Sequence, residues 1–187
     1  MDAFGYLSVL LSIIVGFAIT QILLGFRGVV LARERIRLYW PTVAWALLLL
    51  LINVQSWWAM FGLRVIEHWS FPAFSILLLQ TITQYMLAAI VFPDFVGERA
   101  IDLREHYRQH ARWFFGLLIL LWLVSMAKDR IIAGHLPTGA NLVVHLGFMA
   151  MSVVAMVVTA ENYHKLFSLL GLAVFGAYTV ALFAQLP

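Results

Sequence analysis

Asp102, His106 and His110 recur at four-residue spacing in the segment VGERAIDLREHYRQHARW. A helix there stacks one carboxylate and two imidazoles on a single face. Further along, ENYH supplies Glu161 and His164 three residues apart, again on one helical face. Carboxylate and neutral imidazole are the donors that zinc and iron accept, so these five residues form a candidate metal centre. Arg104 and Arg108 in the same segment oppose a divalent cation. A charged interfacial helix also places acids, histidines and arginines together for solvation and i,i+4 pairing alone. The balance lies with solvation, and no cofactor is expected.

A second group is uncharged. LLLQTITQYML, residues 77–87, places Gln80 and Gln84 one turn apart inside an apolar run. Asn53 and Ser56 share a face of the segment before it, with Gln55 nearby. Asn141, His145, Phe148, Ser152, Ala155 and Thr159 alternate steps of four and three, which traces one helical face among Val, Leu and Met. Tyr178 and Thr179 fall at a similar depth in the last apolar segment. A glutamine amide turned to lipid leaves donors and an acceptor unpaired at several kcal/mol each, so these groups should face inward. Asn53, Gln80, Gln84, His145, Ser152 and Thr179 are therefore the candidate lining of a polar interior. They could hold helices together by hydrogen bonds, or line a hydrated route for a small solute.

Much other chemistry is excluded. The chain has no cysteine, which removes thiol nucleophiles, thiolate metal sites and disulfides. It has no phosphate-binding glycine loop of the P-loop type, no GxSxG and no HExxH. His145 has no histidine at matching depth for a bis-histidine haem.

The elements that must position these groups follow from composition. Of 187 residues, 64% are hydrophobic and 11% charged. Soluble domains average about 45–50% and about 25%, so lipid must be the solvent for much of this surface. Spanning the hydrocarbon takes about 20 apolar residues in a helix. Six segments qualify, near 5–30, 40–63, 71–93, 112–127, 137–160 and 166–186. The fourth is the shortest and continues from the polar segment before it. Asp2 and the absence of a basic leader predict that the first segment is a retained crossing rather than a signal peptide. Ser8, Ser12, Gly16 and Thr20 on the first helix, and Ala173, Ala177 and Ala181 on the sixth, are small-residue stripes expected to pack closely against neighbours.

Arg27, Arg33, Arg35 and Arg37 flank the first link; Arg99, Arg104, Arg108 and Arg112 lie in the third, and Lys165 in the fifth. The remaining links hold only Arg64, Lys128 and Arg130. This asymmetry predicts odd links in the cytoplasm and both termini outside, in a plasma membrane (the inner membrane of a bacterium). RERIRLYWPTVA at 33–44 also echoes KDRIIAGHLPTGA at 128–140, which would relate two inverted three-helix halves.

The sequence therefore describes one all-α transmembrane domain over residues 1–187. The function it favours is a small channel or transporter with a neutral polar interior. An accessory or assembly subunit is the alternative, and a metal-dependent membrane enzyme using Asp102, His106, His110, Glu161 and His164 comes third. Expected partners are the bilayer and another copy or another membrane protein. The net charge of +3 is not read as a nucleic-acid signal.

Overall fold

A computed structural model describes residues 3–66, 68–95 and 100–183 of the chain. Arg99 and Asp2, which entered the reading of the links and of the first crossing, lie outside the described residues. Six helices account for nearly all of the described chain. They are α1 (Ala3–Leu31), α2 (Trp40–Met60, continued by a 3-10 turn Phe61–Val65), α3 (Phe71–Val91), α4 (Leu103–Ile132), α5 (Gly139–Val157) and α6 (Glu161–Phe183). Two short strands, β1 (Ile36–Arg37) and β2 (Ile101–Asp102), pair in parallel and join the first link to the third.

The local starts and stops have plain causes. Pro41 and Pro72 occupy the first turns of α2 and α3, where a missing N–H costs nothing. Ser70 caps α3 by accepting from the Ala73 N–H at 3.3 Å. Asp102 caps α4, accepting from the N–H groups of Arg104 and Glu105 at 2.9 and 3.2 Å. Gly134, at φ +79°, supplies the left-handed residue that ends α4.

Five of the helices are long and apolar enough, by length and composition, to cross a membrane: α1, α2 with its 3-10 turn, α3, α5 and most of α6. Leu10, Ile13, Phe17, Leu23, Leu24, Val153 and Val180 point outward from them. So continuous an apolar exterior fits a multi-pass membrane protein rather than a water-facing one. α4 differs. Its charge-free stretch, Trp113–Ala127, has 15 residues, about 22 Å of helix against a hydrocarbon core of about 30 Å.

α3 packs between α1 and α4, α4 continues onto α5, and α2 lies along α6. Trp45 of α2 stands at the centre, fully buried. It meets Phe114, Phe115 and Phe167 edge-on, with ring centroids 5.3, 5.5 and 4.9 Å away. Phe148 extends this layer from Phe167 to Trp122, and Trp122 reaches Phe175. The result is an aromatic floor across the middle of the bundle.

Several expectations are corrected. α4 runs over 103–132 rather than 112–127, so Lys128, Asp129 and Arg130 are helical and not in a link. α6 begins at Glu161 rather than 166, so ENYH and Lys165 belong to α6 and not to the fifth link. The Ser8–Thr20 stripe is not the packing face of α1, since Gly16 and Thr20 are exposed; the buried face is Leu11, Val15, Ala18, Ile22, Gly25 and Gly28. Strict four-residue spacing drifts around a 3.6-residue helix, whereas alternating steps of four and three hold one face. Ala173 and Ala177 point outward for a related reason: α6 buries Phe167, Gly171 and Phe175. The alternating stripe on α5 is buried from His145 through Phe148 and Ser152 to Ala155, whereas Thr159, its last member, lies past the helix end and is exposed.

Trp45→Ala removes the ring on which three phenylalanines converge and should lower stability by about 3–5 kcal/mol. Trp45→Phe, which keeps part of those contacts, should lose clearly less. Unfolding in detergent micelles compares them, and equal losses would deny the ring its central place.

Candidate functional site

Five helices enclose a cavity of about 310 Å³ at the end of the bundle that holds the second and fourth links. α2 contributes Gln55 and Ser56, and α3 contributes Gln80, Thr81 and Gln84. α4 adds Ser125, Lys128 and Asp129, α5 adds Asn141 and His145, and α6 adds Tyr178. Between these lie Ile52, Leu77, Leu121, Trp122 and Phe175, so the wall mixes apolar surface with polar groups that converge from all five helices.

Gln84 is fully buried, and its Nε2 donates to Ser56 Oγ at 2.6 Å. The Oε1 atoms of Gln84 and Gln80 are buried without a hydrogen-bond partner. His145 lies 2.8 Å through Nδ1 from the Asn141 carbonyl and 3.0 Å through Nε2 from Ser125 Oγ. A carbonyl only accepts, so Nδ1 bears the proton and, in the neutral ring, Nε2 accepts from the Ser125 hydroxyl. Tyr178 donates to Asn141 Oδ1 at 3.1 Å. Lys128 Nζ and Asp129 Oδ1 sit 3.7 Å apart on the last turns of α4, each side chain about one-quarter exposed.

Of the six residues expected to line a polar interior, Gln80, Gln84 and His145 stand on this wall. Asn53, Ser152 and Thr179 do not. Asn53 is buried beside the cavity-lining face of Ile52 and Ser56 rather than on it, and its Nδ2 donates back to the Leu49 carbonyl at 2.8 Å. Ser152 lies two turns deeper than His145, donating to the Phe148 carbonyl at 2.6 Å. Thr179 adjoins Tyr178 but sits about 100° around the helix. Sequence reasoning missed Ser125, Lys128 and Asp129, because charges were taken to end the fourth helix. The spacing Leu121, Ser125, Lys128, Ile132 would have found Ser125 and Lys128, since all four share a face and line the cavity, and Asp129 follows one turn after Ser125.

The five candidate metal ligands lie at the opposite end, each with other partners. Asp102 caps α4 and lies 3.5 Å from Arg37. His106 Nε2 donates to the Ile90 carbonyl at 3.0 Å, and His110 Nδ1 to the His106 carbonyl at 2.9 Å. Glu161 is held by Arg104 and, at 2.7 Å, by Lys165. His164 Nε2 donates to the Val158 carbonyl at 2.8 Å, while Nδ1 lies 3.0 Å from the Tyr107 hydroxyl. Among the described residues no three histidine or acidic side chains converge as a ligand set. Comparison with family models, curated proteins and solved structures returns no match to this chain.

Two outcomes follow from these bonds. Ser56→Ala leaves the buried Gln84 amide without its partner and should cost about 0.6 kcal/mol, at most about 1.7, on the scale of interhelical bonds in membranes. Unfolding in detergent reads it, and no loss would mean that the bond does not form. His106 lies in the turns of α4 before the apolar stretch. Burial pushes its imidazole down from the ordinary range, against the Ile90 bond, which favours the charged ring. The unfolded chain then binds a proton that the native state resists, so stability is full above about pH 6.5 and falls as pH drops below it. In His106→Gln the fall between pH 7.5 and 5.5 should be shallower; an identical fall would place the effect elsewhere.

Proposed function

We propose that the chain is a six-crossing membrane carrier or gated pore for a small polar solute, and that the 310 Å³ cavity is its binding chamber. One observation bears most of the weight. Polar side chains from five helices converge on a single space, and two buried amide oxygens there, Gln80 Oε1 and Gln84 Oε1, have no protein partner. Once the two amides turn into the cavity, a solute bearing N–H or O–H donors would satisfy them.

α4 is the sixth crossing in this reading. Its charge-free stretch is short because Lys128 and Asp129 end in the cavity rather than in lipid, where an ionic group is costly unless paired or hydrated. The chamber opens toward the second and fourth links, which the distribution of basic residues puts outside the cell. Its floor is the Trp122, Phe148, Phe167 and Trp45 layer, which favours a gated or alternating path over a permanently open one. Inverted halves are not required. α1 leans on α3 while α4 leans on α5, and the echoed segments form a turn with a strand in one copy and a helix end in the other. The metal-enzyme alternative is weakened because its five side chains are separately engaged.

The absence of cysteine makes the test direct. Gln55→Cys and Gln80→Cys should react with a membrane-impermeant thiol reagent added outside, while Asn53→Cys and Gln109→Cys should not. In liposome swelling with urea, glycerol and glycine as solutes, at least one should enter, and Gln80→Leu or Asn141→Leu should slow it roughly tenfold, the penalty of about 1.4 kcal/mol in one lost polar contact. Equal labelling of Asn53→Cys and Gln80→Cys, or entry indifferent to both leucine changes, would overturn the chamber.

A further inference from the structure

At the end away from the cavity, the first turns of α4 extend past its apolar stretch. Arg104, Arg108 and Arg112 follow at four-residue spacing and face a groove of about 550 Å³. The opposite wall is the corner between α5 and α6: Ala155 to Val158, then Thr159 and Glu161. Val157 on that wall is 74% exposed and continues the outward apolar surface of α5. Trp113, also 74% exposed, immediately follows Arg112 and marks the level at which aromatic side chains anchor at a bilayer interface.

The charges in this groove are unequally committed. Arg104 is occupied by Glu161, which Lys165 also holds. Glu105 accepts from Gln109 at 2.9 Å. Arg108 and Arg112 are exposed and form no ion pair among the described residues. Two guanidiniums one turn apart suit the oxygens of a single phosphate, which they can bind in bidentate fashion. A soluble anion needs no apolar wall, whereas a lipid needs both a cationic seat and a greasy flank that leads into the bilayer.

We propose that this groove binds the phosphate headgroup of an anionic phospholipid, seated on Arg108 and Arg112, with its acyl chains along the exposed α5 surface at Val157. Basic pockets between transmembrane helices on the cytoplasmic side are a recognised seat for such headgroups. The inference rests on membrane insertion and not on the solute chamber at the other end.

Native mass spectrometry tests it on the full chain, released from detergent with equal phosphatidylglycerol and phosphatidylcholine. Wild type should retain phosphatidylglycerol at least tenfold over phosphatidylcholine. Arg108→Gln/Arg112→Gln should lose that preference. Arg27→Gln/Arg33→Gln, which removes two exposed cations from the same end but outside the groove, should keep it. Inorganic phosphate at millimolar concentration should not displace the lipid. Absence of a preference, a preference that survives the groove variant or vanishes equally in the control variant, or displacement by phosphate alone would each overturn the proposal. An unchanged unfolding temperature in the groove variant separates loss of binding from loss of fold.

Discussion

The constraint on which this structure turns is that polar atoms cannot be left bare in hydrocarbon. α4 shows it most plainly. Lys128 and Asp129 follow only 15 uncharged residues, about 22 Å of helix, so they reach into the bilayer's depth if α4 crosses it. They lie beside a cavity instead of facing outward, and the other helices turn toward the same place. Gln80 and Gln84 of LLLQTITQYML, Ser56, Asn141, His145 and Tyr178 gather there for the same physical reason. The cavity is both what the polar groups need and what they build.

Beneath it the chain does the opposite. Trp45, Phe115, Phe167, Phe148 and Trp122 fill the middle of the bundle with rings in edge-on, tilted and stacked contact. Such pairs add about 0.5–1.5 kcal/mol each beyond burial, in a setting where apolar burial alone gives helices little reason to associate. The molecule thus has two differently built ends. One is polar and hollow; the other is basic and tied by strand pairing and ion pairs.

Much of this was legible in the sequence because lipid leaves composition little latitude. The helical class and the inward turn of α5 could be read from apolar runs and from the four-three rhythm of His145, Phe148, Ser152 and Ala155. The strict four-residue rhythms on α1 and α6 misled, since they precess around the helix and leave Gly16, Thr20, Ala173 and Ala177 outside the core. The site was half legible. Gln80, Gln84 and His145 were visible as polar exceptions in apolar runs. Lys128 and Asp129 were hidden because a hydropathy reading stops a helix at its first charges, although backbone bonding continues the helix to Ile132. The histidines near α4 looked like ligands by spacing alone. Only the fold shows that His106 and His110 bond to backbone carbonyls while His164 faces Tyr107 on another helix.

The clasp between β1 and β2 also sets an order of assembly. Arg37 and Asp102 are separated by two whole helices along the chain, so their link cannot close until the start of α4 has been made. Synthesis at about 5–20 residues per second puts that moment roughly 3–13 s after Arg37 is added. Arg104 must wait a comparable time again for Glu161. The first three helices can therefore be fastened to the head of α4 while α5 and α6 are still on the ribosome. The polar faces of α2 and α3 meanwhile wait for the partners that will close the chamber. At that stage the nascent chain has its basic end already fastened and its hollow end still open.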